Sequence, residues 1–261
     1  MGNVLPKVTF LGVGDATHPD GATTSVLYTG KRSILVDCGP AIAHRYYQLS
    51  ADAEALDAIW ITHQHADHCF GLPTLLLTLR LAGRKKPLEL MGGPGSSKYL
   101  LALLELGYPG SFNKERCFPI TFTEVEPDRP IERLTMKFTT TRTQHRVACF
   151  ALRIDAGGCA VCVSGDGKVT PESLRLYLGA DLVVQECQWA TRTSYEHSCV
   201  ADVRPLIEQA NVRRIALVHR SGKDEAAIAE LSRDLLGERS WLPIAGESYQ
   251  VSSSDATTVE Q

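Results

Sequence analysis

Apolar residues fall in short runs along this chain, separated by glycine, proline and polar turns. Lys7–Gly12, Thr24–Tyr28 and Ser33–Asp37 read as successive strands, with Gly30-Lys31 as a hairpin-type turn between the last two. Ile42–Leu49 has helical spacing, Leu56–Ile61 is a buried-strand run, and Leu72–Leu81 is a helix with Pro73 tolerated in its first turn. Leu88–Met91 follows as a strand and Ser96–Leu106 as a helix that Gly107 stops. In the second half Ile120–Glu126, Leu134–Arg142, Cys149–Asp155 and Cys159–Ser164 read as strands, the last pair turned by Gly157-Gly158. Thr170-Pro171-Glu172 opens a helix with an N-cap, a first-position proline and an acid in the first turn. Leu182–Val184 and Ile215–Val218 are short buried strands. Between them a helix near Val203–Ala210 is expected to start near Asp202, ahead of Pro205, and Asp224–Leu236 is an amphipathic helix. Each half thus runs strands first and strand–helix units afterwards. Two mixed sheets packed face to face with helices outside would bury that pattern.

Composition is consistent with such a fold. The chain has 261 residues, 44% hydrophobic and 22% charged, enough for a large core. One domain over residues 1–261 is the simplest organisation, with a polar, frayed tail over 252–261. The formal charge of −3 and pI near 6.2 lack the basic excess that long nucleic acid attracts. Arg84-Lys85-Lys86 reads as a solvated loop after a helix, although such a patch can touch phosphates. The first twelve residues hold no apolar signal-peptide core and no run is of membrane-spanning length, so a cytoplasmic protein is expected. The eight cysteines, mostly in strand-like contexts, read as buried free thiols. Cys159 and Cys162 form a C-x-x-C, but residues three apart on a strand point to opposite faces, which argues against a redox or metal pair.

The chemistry concentrates in Thr62-His63-Gln64-His65-Ala66-Asp67-His68, directly after the apolar run Ala58-Ile59-Trp60-Ile61. Three imidazoles and a carboxylate at a strand end have no ordinary core role, because burying them unpaired costs several kcal/mol. They suit a zinc-like ion, and their number suggests two ions: His63 and His65 as one pair, Asp67 and His68 as another. Further ligands are available at other strand ends. Asp166 lies in the glycine-flanked turn Ser164-Gly165-Asp166-Gly167, where a carboxylate can bridge two cations, His145 follows the polar strand Thr139–Gln144, and His219 ends Ile215–Val218. His18 and His44 have no comparable context, although the loop holding His18 could approach the site.

With these residues in this order the chain resembles the metallo-β-lactamase superfamily, and ribonuclease Z and related phosphodiesterases in particular. The resemblance runs over about residues 7 to 250. It includes Phe10-Leu11-Gly12-Val13-Gly14, Leu35-Val36-Asp37-Cys38-Gly39, Phe70-Gly71-Leu72-Pro73, His145 to Phe150, Glu186, His197-Ser198 and Val218-His219-Arg220-Ser221. It implies a four-layer αββα sandwich with a dinuclear site between the sheets. His63, His65 and His145 would hold one metal, Asp67, His68 and His219 the other, and Asp166 would bridge them. It also implies that Glu186 supports His197, fixing its tautomer for service as a general acid. The implied cofactors are two divalent ions, zinc first, with manganese or iron as alternatives, and a homodimer is a further implication.

The departures bear on substrate. Ribonuclease Z carries a long tRNA-binding arm between the third histidine and the bridging aspartate, whereas His145 and Asp166 here are 21 positions apart, with room only for a hairpin. Asp15–Ala22 lacks that family's Arg-Asn-rich pattern, and the segment after Asp37 reads Cys38-Gly39-Pro40-Ala41. The expected activity is therefore hydrolysis of small phosphodiesters or short nucleic-acid ends by a water acidified between the two ions, with Asp67 orienting it and His197 protonating the leaving oxygen. An acyl hydrolase of lactones, thioesters, β-lactams or sulfate esters would use the same ligands. True tRNA 3′ processing and a non-catalytic ligand sensor are the remaining alternatives, the last opposed by the completeness of the ligand set.

Overall fold

The computed structural model describes residues 5–19, 22–50 and 52–252. The first half supplies strands β1 (Lys7–Gly12), β2 (Ser25–Thr29), β3 (Ser33–Val36), β4 (Ala58–Ile61), β5 (Leu88–Gly92) and β6 (Ile120–Glu124). Its helices are α1 (Ile42–Leu49), α2 (Ala66–Cys69), α3 (Leu72–Leu81) and α4 (Ser96–Gly107). The second half supplies β7 (Ile131–Arg133), β8 (Met136–Arg142), β9 (Phe150–Ala156), β10 (Cys159–Val163), β11 (Leu182–Glu186), β12 (Ile215–Val218) and β13 (Ser240–Trp241). Its helices are α5 (Pro171–Tyr177), α6 (Val200–Val203), α7 (Pro205–Glu208) and α8 (Glu225–Leu236), and β14 (Ser248–Gln250) then returns to the first sheet.

The two seven-stranded sheets are built alike. The first has the order β14-β1-β2-β3-β4-β5-β6 and the second β13-β12-β11-β10-β9-β8-β7. In each, the hairpin strands pair antiparallel, while β3 to β6 and β10 to β13 run parallel through crossovers. The two-residue alternation of strands sets the layers. In β4, Ala58 and Trp60 join the core between the sheets, and Ile59 and Ile61 join the core shared with α1, α3 and α4. In β12, Ala216 and Val218 face the inter-sheet core, and Ile215 and Leu217 pack under the helices of the second half. The result is the expected αββα sandwich. Gly157 and Gly158, both at positive φ (62° and 79°), make the two-residue β9–β10 turn, a conformation that side chains resist. The interval between His145 and Asp166 holds that hairpin and no arm.

Cys159 faces the inter-sheet core and Cys162 the helix side, as strand alternation requires, and all eight cysteines are free. Among the described residues no helix is long and apolar enough to cross a membrane. Of the expected tail, Ser252 is described and its carbonyl accepts from Arg213 Nη1 at 2.7 Å, while residues 253–261 lie outside the described residues.

Two local expectations need correction. The helix expected near Val203–Ala210 is two one-turn helices, α6 and α7, because Pro205 has no N–H to continue α6. Its start is also earlier, with the Cys199 N–H donating to Asp202 Oδ2 at 3.0 Å. The triplet Arg84-Lys85-Lys86 is not a uniformly solvated cationic patch. Arg84 is 2% exposed, and its guanidinium donates to the carbonyls of Ala53 (2.6 Å), Leu56 (2.7 Å) and Pro87 (2.8 Å). Glu54 accepts from the backbone N–H groups of Lys85 and Lys86, and the Lys86 ammonium pairs with Asp57 at 3.0 Å. Arg84 therefore pins the loop between α1 and β4 to the end of α3. Arg84→Ala should lower unfolding free energy by about 3 kcal/mol in urea denaturation, because three carbonyls lose a charged donor, whereas exposed Lys85→Ala should stay within about 0.5 kcal/mol.

Candidate metal centre

The candidate ligands converge where the strand ends of both sheets meet. His63 and His65 follow β4, and the one-turn helix α2 carries Asp67 and His68. His145 follows β8, Asp166 follows β10 between Gly165 and Gly167, and His219 follows β12. His219 holds a left-handed backbone (φ 57°), a conformation that costs a non-glycine residue about 1 kcal/mol and marks a constrained position.

The side chains sort into two groups. His63 Nε2 lies 3.0 Å from His65 Nδ1, and His145 Nε2 lies 3.3 Å from the same atom. These spacings approach the roughly 3.3 Å edge of a tetrahedron built on zinc–nitrogen bonds of about 2.0–2.1 Å. In the second group His68 Nε2 and His219 Nε2 lie 3.3 and 3.4 Å from Asp67 Oδ2. Asp166 touches both: Oδ1 is 3.2 Å from His68 Nε2, and Oδ2 is 3.6 Å from His63 Nε2 and 3.4 Å from His219 Nε2. One ligand atom from each of His63, His65, His145 and Asp166 lies within 4.8 Å of the others, as does one from each of Asp67, His68 and His219. His68 Nε2 and Asp166 Oδ1 are buried with no hydrogen bond formed, which suits lone pairs directed at cations. The donor set and its spacing therefore fit divalent metal, with each group able to hold one ion.

Electrostatics follows from this packing. Burial opposes the Asp166 carboxylate, yet His219, His68 and His63 hold its pKa well below the usual range. Burial likewise opposes charge on His68 and His219, but Asp166, with Asp37 for His68 and Asp67 for His219, outweighs it, and His219 is pushed up to about 9. Burial and neighbouring His68 push His63 down. A cation bound here would replace protons already drawn to the carboxylates.

Asp37 also reaches the candidate ligands, although it carries no metal-binding pattern of its own in the sequence. Its Oδ2 accepts from His68 Nδ1 at 2.7 Å and from Thr62 Oγ1 at 2.8 Å, and its Oδ1 accepts from the Thr62 N–H at 2.8 Å. Thr62 Oγ1 is also 3.0 Å from His63 Nδ1, so one carboxylate orients two imidazoles with Nε2 turned inward. The available signal was an acidic residue ending the apolar run Leu35-Val36. His145 Nδ1 is similarly held by the Glu196 carbonyl at 3.1 Å.

Glu186 and His197 also come together. Glu186, the last residue of β11, accepts at Oε1 from the N–H groups of Gly167 (2.9 Å) and Ser198 (3.1 Å), with His197 Nδ1 at 3.4 Å. Burial raises the Glu186 pKa while His197 pulls it down. The His197 ring stacks on His219 at 5.4 Å with an interplanar angle of 10° and meets His145 edge-on at 5.3 Å. It is also within ligand reach of Asp166 and His219. Ser198, fully buried, donates to the Gly167 carbonyl and does not cap a helix on the surface. His44 sits on α1 beside Gln48 (3.1 Å), and His18 lies near Glu225 (3.7 Å). Neither joins the ligand groups. A cavity of about 690 Å³ between α4 and β6 is lined by none of these site residues.

Known proteins are similar over most of the chain. Ribonuclease Z of Listeria welshimeri serovar 6b is 25% identical, covering 83% of this chain and 89% of that protein. Ribonuclease Z of Pseudomonas putida is 28% identical, covering 82% and 83%. Among solved structures, the metallo-β-lactamase fold protein YhfI from Bacillus subtilis superposes with a TM-score of 0.78 at 22% identity, covering 94% of this chain and 99% of that one. The short form of human tRNase Z gives 0.76 at 23%, covering 94% and 99%, and a diphosphatase from the PhnP family gives 0.72 at 17%, covering 95% and 98%. The fold is the metallo-β-lactamase fold, of ribonuclease Z-like kind. Residues 6–236 match the family described as "Anti-Pycsar protein Apyc1", and the chain belongs to that family.

Proposed function

We propose that this chain, a metal-dependent hydrolase, cleaves small phosphodiesters or short nucleic-acid ends at a dinuclear centre. His63, His65 and His145 would hold one ion and Asp67, His68 and His219 the other, with Asp166 shared between them. The observation that carries this reading is the Asp166 carboxylate, whose two oxygens face imidazoles of both groups. Divalent ions bound there, zinc before manganese or iron, would supply an acidified water and offset charge on the phosphoryl oxygens. Asp67 orients the attacking water. His197, with Nδ1 directed at Glu186, donates a proton from Nε2 to the leaving oxygen.

Phosphodiesters are favoured over acyl substrates by the Glu186–His197 pair, since an alkoxide leaving group needs a proton, and by relatives named ribonuclease Z. The plain hairpin between His145 and Asp166 and the net charge of −3 favour small substrates over intact tRNA. Ligands drawn from both halves support one hydrolase domain over the chain. A cytoplasmic location and a homodimer complete the reading, with exposed Leu81, Leu101 and Leu106 on α3 and α4 giving a second copy a surface to meet.

Metal-loaded protein should hydrolyse bis(p-nitrophenyl) phosphate but not lactones or nitrocefin. Activity on carbonyl substrates alone would overturn the phosphodiesterase reading. On a diester with an alkoxide leaving group His197→Ala should reduce kcat by about 10²- to 10⁴-fold and leave metal content unchanged, with a much smaller loss on bis(p-nitrophenyl) phosphate, whose nitrophenolate leaves without a proton. Metal loss in that variant would instead make His197 a ligand, as its reach to Asp166 and His219 allows. Asp37→Asn should weaken metal affinity by about 10- to 100-fold in a chelator competition titration. Stripping metal should abolish turnover and lower Tm, and elemental analysis should find two ions per chain in the active form.

A further inference from the structure

A small cavity of about 170 Å³ is lined by residues from the segments that carry the three-histidine group, and one of them, Thr62, has its Oγ1 3.0 Å from His63 Nδ1. Its wall includes the rings of Pro94, Tyr99 and Phe150, and Gln64, Ser96 and Ala148 contribute to its lining. Thr62, also in the lining, and Gln64 flank His63 in sequence, and Ala148 lies three positions after His145. The cavity therefore shares two chain segments with the candidate ligands. Gly93 lets the Phe150 ring of the lining pack against the backbone, because a Cβ there would come within 2.2 Å of that ring. An apolar cavity of about 150 Å³ is known to hold one benzene ring, so this volume suits a single ring.

Its electrostatics disfavours an anion. The cavity reaches the N-terminus of α4, an end that would ordinarily attract a phosphate. Here Glu124 already occupies it, accepting from the N–H groups of Gly95 and Ser97, each at 2.9 Å. A phosphate placed there would meet a carboxylate. Charge on the substrate is thus left to the metal centre, and its uncharged part to the cavity.

We propose that this cavity is a substrate subsite that receives one flat, uncharged ring of the diester while the phosphoryl group sits on the metal centre. The exposed Gln64 amide is placed to hydrogen-bond the ring's polar edge, and the ring walls supply stacking surface. The inference rests on the phosphodiesterase reading.

The test compares kcat/KM for bis(p-nitrophenyl) phosphate and methyl p-nitrophenyl phosphate on the metal-loaded protein. Both release p-nitrophenolate, and they differ only in whether the retained group is a ring or a methyl. Ala148→Leu fills the cavity from an exposed position and should lower the aryl-to-methyl ratio at least fivefold, chiefly through KM for the aryl diester. Gln64→Ala should shift the ratio in the same direction by a smaller factor. Metal content and Tm are measured on both variants to exclude damage to the ligands or the fold. A ratio unchanged in both variants, or equal losses on both diesters, overturns the subsite. Native protein that cleaves neither diester overturns the phosphodiesterase reading itself.

Discussion

The Asp166 carboxylate is the group on which the rest of the arrangement depends. It is 2% exposed and lies between His63, His68 and His219, which come from both halves of the chain. A buried carboxylate is tolerable only when opposite charge meets it. Both sheets must therefore bring their strand ends to one place, with β4 and α2 supplying imidazoles from one side and β12 from the other. The loop that carries Asp166 is tied down to match. Glu186 accepts from the Gly167 N–H, and Thr143 Oγ1 donates to the Asp166 carbonyl. Glu186 accepts from Ser198 as well, so one carboxylate sets both the Asp166 turn and the segment holding His197.

Much of this was legible from local pattern. Short apolar runs bounded by turn residues located the principal strands, since a strand buried on two faces reads as a continuous apolar run wherever it sits. The candidate ligands were legible because each follows a strand-like run, and imidazoles clustered at a strand end are chemically conspicuous. Features made by distant partners were less visible. Asp37 looks like any acidic turn residue until His68, 31 positions later, closes onto it. Arg84 sits among cations and looks solvated, and only the carbonyls of Ala53 and Leu56 across the fold make it a buried clamp. The strands β7, β13 and β14 are two or three residues long, too short for a period to register.

Several acidic side chains serve the backbone where a charge count would have assigned them to solvent. Glu54 accepts from the N–H groups of Lys85 and Lys86, and Glu124 accepts at the start of α4. In the sequence these residues contribute to a formal charge of −3, which describes the balance of the chain and not where any charge is used. Because Glu124 caps the helix that opens onto the small cavity, a purely structural bond also shapes what that cavity can accept.

The pairing of β14 with β1 sets an order of assembly. Lys7 lies opposite Gln250, so the edge strand of the first sheet is contributed by almost the last described segment of the chain. On a ribosome, β1 would emerge long before β14 and keep one edge bare until the other strands of both sheets had been made. The nascent first sheet would therefore be open to wrong partners while its own candidate ligands, His63 to His68, were already displayed. Completion of the sheet and arrival of His219 come within about thirty residues of each other, so the chain would gain its protected edge and its full set of candidate ligands almost together.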